Sequence, residues 1–81
     1  MRSDCIEALL LCNREIEFSY GGKRYSITEF EKDGKIIFSF CEFYKTPKNV
    51  MTPKDILKLK IGNKTLEDIF SELPDSAFDI Y

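Results

Sequence analysis

Two glycine-containing dipeptides divide residues 15–45, and they constrain this chain more than any other feature. Gly21-Gly22 and Asp33-Gly34 each stand between runs that are rich in β-branched and aromatic residues. Both dipeptides accept the positive φ angles of a two-residue type I′ turn, which joins antiparallel strands. The stretch is therefore predicted to be a three-stranded antiparallel meander.

Each tight turn also fixes which residues of its two strands lie opposite each other. Tyr20 faces Lys23 across the first turn, and Lys32 faces Lys35 across the second. Because side chains alternate between the two faces of a strand, both hairpins place their apolar residues on one face. These residues are Ile16, Phe18, Tyr25, Ile27, Ile36, Phe38 and Phe40. We expect Phe18, Ile27 and Phe40 together in the core, and Arg14 opposite Glu29.

Three segments with helical spacing flank the meander. Residues 3–12 are predicted to form a helix that Asp4 caps and Asn13 ends. The pair Thr52-Pro53 is typical of a second helix, which runs to about Leu59. A third helix follows the cap residue Thr65, carries its apolar stripe at Leu66, Ile69, Phe70 and Leu73, and stops at Pro74.

The predicted fold class is α+β, with the helices packed on one face of the meander in the order α-β-β-β-α-α. We expect residues 1–81 to form a single domain. Residues 45–49 are expected to be a loop, since Pro47 cannot continue a central strand. The tail from Asp75 to Tyr81 is expected along a sheet edge, over the outer sheet face, or frayed.

The composition argues against an enzyme. The chain has no histidine, and no phosphate-binding, dinucleotide-binding or nucleophile motif is present, so no catalytic residue, cofactor or metal is expected. Glu29 and Glu42 lie on the apolar face, where they form an acid–base pair or else sit at the rim with Arg14 or Lys23. Cys5, Cys12 and Cys41 are expected to be small buried side chains with reduced thiols in a cytoplasmic protein without a membrane segment.

Two surfaces are candidates for binding a protein partner. Phe30 and Ile37, with Phe43 further along the third strand, lie on the otherwise polar outer face of the meander. A symmetric homodimer would cover this group with one self-complementary patch. The second surface is acidic, because residues 65–81 hold five acids and no basic residue; its candidate residues are Glu67, Asp68 and Glu72.

A basic segment supports an alternative function. Six lysines fall within twenty residues and follow the aromatic pair Phe43-Tyr44, an arrangement that can hold single-stranded nucleic acid by charge and stacking. They are Lys45, Lys48, Lys54, Lys58, Lys60 and Lys64. The pI of about 5.1 and the acidic tail argue against nucleic acid.

Three segments carry a resemblance to other proteins. They are residues 14–27 (REIEFSYGGKRYSI), 40–45 (FCEFYK) and 60–69 (KIGNKTLEDI). Together they resemble short, uncharacterised proteins of Gram-positive bacteria and their phages or mobile elements, for which no activity is known. The resemblance implies such a setting, and the leading interpretation is a small non-enzymatic module that binds a host protein.

Overall fold

The computed structural model describes residues Met1–Tyr81 and is an α+β fold with one antiparallel sheet under a layer of helices. Three helices and seven strands follow in chain order: α1 (Ser3–Leu11), β1 (Ile16–Tyr20), β2 (Lys23–Lys32), β3 (Lys35–Glu42), β4 (Lys48–Val50), α2 (Pro53–Lys58), β5 (Lys60–Ile61), β6 (Lys64–Thr65), α3 (Leu66–Glu72) and β7 (Phe78–Ile80). The main sheet has the order β4-β3-β2-β1-β7, and β5 pairs with β6 in a separate small hairpin. The predicted class is confirmed, but the meander is only the centre of a five-stranded sheet.

The two glycine turns have the predicted geometry. Gly21 and Gly22 have φ angles of 59° and 77°, and Asp33 and Gly34 have φ angles of 53° and 78°, as type I′ turns require. The register follows from them, with Phe18 opposite Tyr25 and Ile27 opposite Phe40. The sequence-based register is therefore confirmed in both hairpins.

The two outermost strands, β4 and β7, were not predicted as strands. β4 begins inside the expected loop, directly after Pro47, and pairs with β3. A proline is tolerated there because β4 is an edge strand. β7 is part of the tail and pairs with β1, with Phe78 opposite Phe18. The tail therefore lies along a sheet edge, and it does not cover the outer face at Ile37.

The helix ends are set by local hydrogen bonds. The Thr52 and Thr65 hydroxyls accept hydrogen bonds from the backbone N–H groups of Asp55 and Asp68, each at 3.2 Å, so both predicted caps are confirmed. The Asp4 prediction is wrong, because Arg2 occupies the cap position of α1 and Asp4 lies inside the first turn. Asn13 has a φ angle of 60° and ends α1 in the left-handed region, as expected.

The core is aromatic and centres on Phe18. Its ring centroid lies 5.4 Å from that of Tyr25, 6.4 Å from Phe40, 5.1 Å from Phe70 and 5.8 Å from Phe78. These contacts join β1, β2, β3, β7 and α3, so one fully buried side chain links the sheet to the helical layer.

Four residues that were expected to be buried lie nearer the surface. Ile36 is 45% exposed, because β2 and β3 extend beyond the helices that cover the rest of the inner face. Cys5 and Cys12 are exposed and Cys41 is half-buried, and all three are free thiols. The prediction of buried cysteines is therefore wrong for Cys5 and Cys12, since the buried face of α1 consists of Ile6 and Leu10.

Candidate functional site

The β2–β3 hairpin projects beyond the rest of the sheet. β1 pairs only with residues 23–27 of β2, and β4 pairs only with residues 38–40 of β3. Residues 28–37 therefore form a two-stranded extension, which we call the hairpin arm. Along one side of the arm Thr28–Lys32 have no neighbouring strand.

Apolar side chains lie on both faces of the hairpin arm. Phe30 and Ile37 are opposite each other on the outer face, and Phe30 is 41% exposed. Ile36 is exposed on the inner face, and none of the three residues belongs to the core or to the side chains packed against it. The arm thus presents apolar surface that no other part of the chain covers.

A row of carboxylates lies along the inner face of the arm. Glu29 and Glu31 alternate along β2 on that face, with Phe38 and Ile36 opposite them. One carboxylate oxygen of Glu29 is shielded from solvent and has no hydrogen-bond partner. Burial, and secondly the nearby Glu15 carboxylate, raise the pKa of Glu29.

Arg14 does not neutralise Glu29, so the prediction that pairs them is wrong. β1 begins only at Ile16, and the Arg14 guanidinium instead donates a hydrogen bond at 2.6 Å to the backbone carbonyl oxygen of Tyr81. The second predicted carboxylate does have a basic neighbour: Glu42 lies 3.6 Å from the Lys23 ammonium. The two carboxylates lie about 13 residues apart in sequence on different strands, and Glu29 is opposite Phe38 while Glu42 is opposite Tyr25, so they are not a paired acid and base.

The other end of the outer face is polar and ion-paired. Arg24 on β2 donates to Glu17 at 3.2 Å, to Ser19 at 3.1 Å and to Asp79 of β7. Phe43 continues the β2–β3 ladder at this end, since its N–H bonds to the Arg24 carbonyl at 2.9 Å. It is six residues from Ile37, or roughly 20 Å along a strand. Phe43 therefore does not form one patch with Phe30 and Ile37.

The six lysines of the basic segment are divided among three places. Lys45, Lys48 and Lys60 line one cleft, whereas Lys54 and Lys58 line a groove between α2 and α3 with Glu7 and Glu67. Lys64 donates to both carboxylate oxygens of Glu72, at 2.7 and 3.0 Å. The segment is therefore not a continuous basic strip.

The first of these places, which we call the lysine cleft, is a cavity of about 370 Å³ that Lys23, Lys45, Lys48 and Lys60 surround. Its floor includes Tyr25 and Phe40, whose rings stack at 5.5 Å with an interplanar angle of 9°. Glu42 is the single carboxylate of the cleft. Lys23 was absent from the lysines chosen from the sequence because it precedes that segment by more than twenty residues.

The acidic residues of α3 do not form a uniform negative surface. Glu67 and Asp68 are exposed in the first turn of the helix, where negative charge complements the helix dipole. Glu67 shares its groove with Lys54 and Lys58, and Glu72 is paired with Lys64. Basic side chains thus accompany two of the three predicted acidic binding residues.

None of the helices has the length and apolar character needed to cross a membrane. Comparison of the chain with protein-family models, with curated proteins and with solved structures finds no match.

Proposed function

We propose that this chain is a small, non-enzymatic protein-binding module that adds an extended segment of a partner protein to the open edge of its hairpin arm. The observation that carries the proposal is the unpaired edge of β2 over Thr28–Lys32. An unpaired strand edge presents a row of backbone N–H and C=O groups, and many recognition domains bind extended peptides in this way.

The two outermost strands are poor sites for the same interaction, and the open stretch of β3 on the other side of the arm, Lys35–Ile37, has only three residues. β4 and β7 are each three residues long, and short edge strands are a usual protection against unwanted pairing. Pro47 precedes β4, and Asp79 of β7 is held by Arg24. The open edge of β2 is longer, at five residues, and its charged side chains Glu29, Glu31 and Lys32 oppose unselective pairing.

Charge decides which partner fits this edge. In antiparallel pairing, opposite residues lie on the same face, and like charges opposite each other are destabilising. If two copies of the chain paired with Phe30 opposite Phe30, Glu29 of each copy would lie opposite Glu31 of the other. The neighbouring registers would place Glu29 opposite Glu29, or Glu31 opposite Glu31, and would again pair like charges. We therefore propose a different protein, whose segment carries lysine or arginine at two alternating positions.

The unpartnered oxygen of Glu29 supports the same choice. A shielded carboxylate oxygen without a hydrogen bond is costly, and a basic side chain opposite it would supply one. The residue between the two basic positions would lie on the outer face beside Phe30 and Ile37, so an apolar side chain fits there. The resemblance of residues 14–70 to short proteins of Gram-positive bacteria makes such a bacterium, or its phage, the setting that we propose.

The proposal is tested with a capped seven-residue peptide in which lysine and valine alternate. We expect it to shift the amide resonances of Thr28–Lys32 in a ¹⁵N spectrum, whereas a peptide of alternating glutamate and valine does not. Glu31→Lys should weaken binding about tenfold, because an attractive cross-strand pair becomes a repulsive one. Glu67→Lys makes the same charge change on α3 and is the matched control, which should leave the affinity nearly unchanged.

Two results would overturn the proposal. One is a lysine peptide that leaves the amides of the arm unshifted or loses affinity equally with both variants. The other is a wild-type dimer in sedimentation that Ile37→Lys dissociates and Glu31→Lys does not, which would assign the outer face to a second copy.

A further inference from the structure

A second site lies at the opposite end of the inner sheet face, away from the hairpin arm. The lysine cleft is assembled from four separate segments: the start of β2, the end of β3, the turn and strand that follow it, and β5. Lys23, Lys45, Lys48 and Lys60 therefore meet only in the folded chain. Their convergence is independent of the surface that the proposed function uses.

The positive charge of the cleft is only partly neutralised. Four lysines face one carboxylate, that of Glu42, which lies 3.6 Å from the Lys23 ammonium. Lys45, Lys48 and Lys60 have no ion pair within the chain, in contrast to Lys64, which is bound to Glu72. Several ammonium groups held close together without counter-charges raise the local concentration of anions.

The walls of the cleft are held in place by the fold. The backbone N–H of Lys45 bonds to the Glu42 carbonyl at 3.0 Å, and the Cys41 thiol contacts the Lys45 carbonyl oxygen at 3.0 Å. Lys60 belongs to the β5–β6 hairpin, which the bond from the Leu66 N–H to the Leu59 carbonyl closes at 2.7 Å. Backbone hydrogen bonds thus support the turn that carries Lys45 and the small hairpin that carries Lys60.

A hydroxyl group also lines the cleft. Burial, and then the neighbouring Glu42 carboxylate, raise the pKa of the Tyr25 phenol. A protonated phenol can donate a hydrogen bond to an anion. The cleft therefore combines the positive charges of four exposed lysines with a neutral phenol that is adjacent to Glu42.

We infer that the lysine cleft binds a small phosphate-bearing anion. Lysine binds phosphate as a point charge, and several lysines suit a group that carries more than one negative charge. The volume of about 370 Å³ lies at the lower end of the range for small-molecule sites. The rings of Tyr25 and Phe40 are buried against each other, which leaves their faces closed to the stacking that single-stranded nucleic acid requires.

Inorganic pyrophosphate is the probe for this site, titrated into the ¹⁵N-labelled protein at low salt. We expect shifts of the amide resonances of Lys23, Tyr25, Glu42, Lys48 and Lys60. Lys60→Glu should weaken binding at least tenfold, which corresponds to the loss of one charge-assisted hydrogen bond. Lys58→Glu changes the net charge equally but lies outside the cleft, and it should leave the affinity within about threefold of wild type.

Glu42→Gln is expected to strengthen the binding of pyrophosphate. It removes the single carboxylate of the cleft and frees the Lys23 ammonium, so pyrophosphate should bind severalfold more tightly. The side chains of Lys58 and Lys60 are exposed, so both lysine variants should keep the wild-type dispersion of the spectrum.

Three results would overturn the inference. The first is that pyrophosphate shifts no cleft resonance. The second is that Lys58→Glu weakens binding as much as Lys60→Glu, which would indicate diffuse attraction. The third is a ten-residue oligothymidylate that shifts the cleft resonances while pyrophosphate does not, which would assign the lysines to nucleic acid.

Discussion

Replacing Phe18 with alanine tests the aromatic core most directly. Phe18 is fully buried and contacts four other rings. A ring that buries roughly 150 Å² contributes about 4 kcal/mol at 25 cal/mol per Å². The edge-to-face contact with Phe70 adds to this value, so we expect a loss of about 4–5 kcal/mol of unfolding free energy, at the upper end for such substitutions.

That loss is large compared with the stability of a chain of this length. At roughly 0.05–0.15 kcal/mol per residue, 81 residues give about 4–12 kcal/mol in total. Urea unfolding followed by circular dichroism measures the change, and Phe18→Leu provides a milder variant if the alanine variant does not fold. Phe30→Ala is the matched control, because the same substitution on the hairpin arm should cost less than about 0.5 kcal/mol.

The Phe30→Ala control also tests whether the hairpin arm presents free apolar surface. Equal losses for Phe18→Ala and Phe30→Ala would show that Phe30 is packed, and the arm could then not offer free apolar surface. A loss below about 2 kcal/mol for Phe18→Ala would contradict the central position of this ring.

Two further predictions concern a helix cap and a partly buried carboxylate. Thr65→Ala should cost about 1 kcal/mol in urea unfolding, because the Asp68 N–H loses its acceptor; Thr65→Ser keeps the acceptor and should retain most of the stability, and equal losses would contradict the cap. Since the pKa of Glu29 is raised, the folded chain binds more protons than the unfolded chain as pH rises from the ordinary glutamate value to the raised one. The free energy of unfolding should therefore fall as pH rises through this window. Glu29→Gln should remove the fall, so the variant should be more stable than wild type above the window and similar to it below. Parallel pH profiles for the two proteins would contradict the assignment.

The central fold could be predicted because its determinants are local. The dipeptides Gly21-Gly22 and Asp33-Gly34 specify the turns, the turns specify the register, and Thr52 and Thr65 cap their own helices. β4 and β7 could not be predicted in this way. A three-residue segment has too short an alternation to indicate a strand, and both segments are extended because a neighbouring strand pairs with them.

The candidate sites depend on three-dimensional distances between elements, which the strand register does not determine. The register places Ile36 on the inner face, but it does not state how far the helices reach along that face. Likewise Lys60 joins Lys23, Lys45 and Lys48 only because the small β5–β6 hairpin lies beside the paired ends of β2 and β3. The alternation of Lys23 and Tyr25, with Glu42 opposite Tyr25, was the one sequence signal that could have added Lys23 to this group.

The pairing of β7 with β1 has a consequence for the order of folding. Ile16 lies opposite Ile80, 64 positions away in sequence, whereas the β2–β3 hairpin closes across two residues. Closing a long loop costs more chain entropy than closing a short one, so local hairpins gain their contacts earlier than distant strands. Until β7 docks, both the edge of β1 and the ring of Phe18 are incompletely covered. We therefore expect this longest-range strand pair to form after the two hairpins, and to be the pair that completes the protection of β1 from association with other chains.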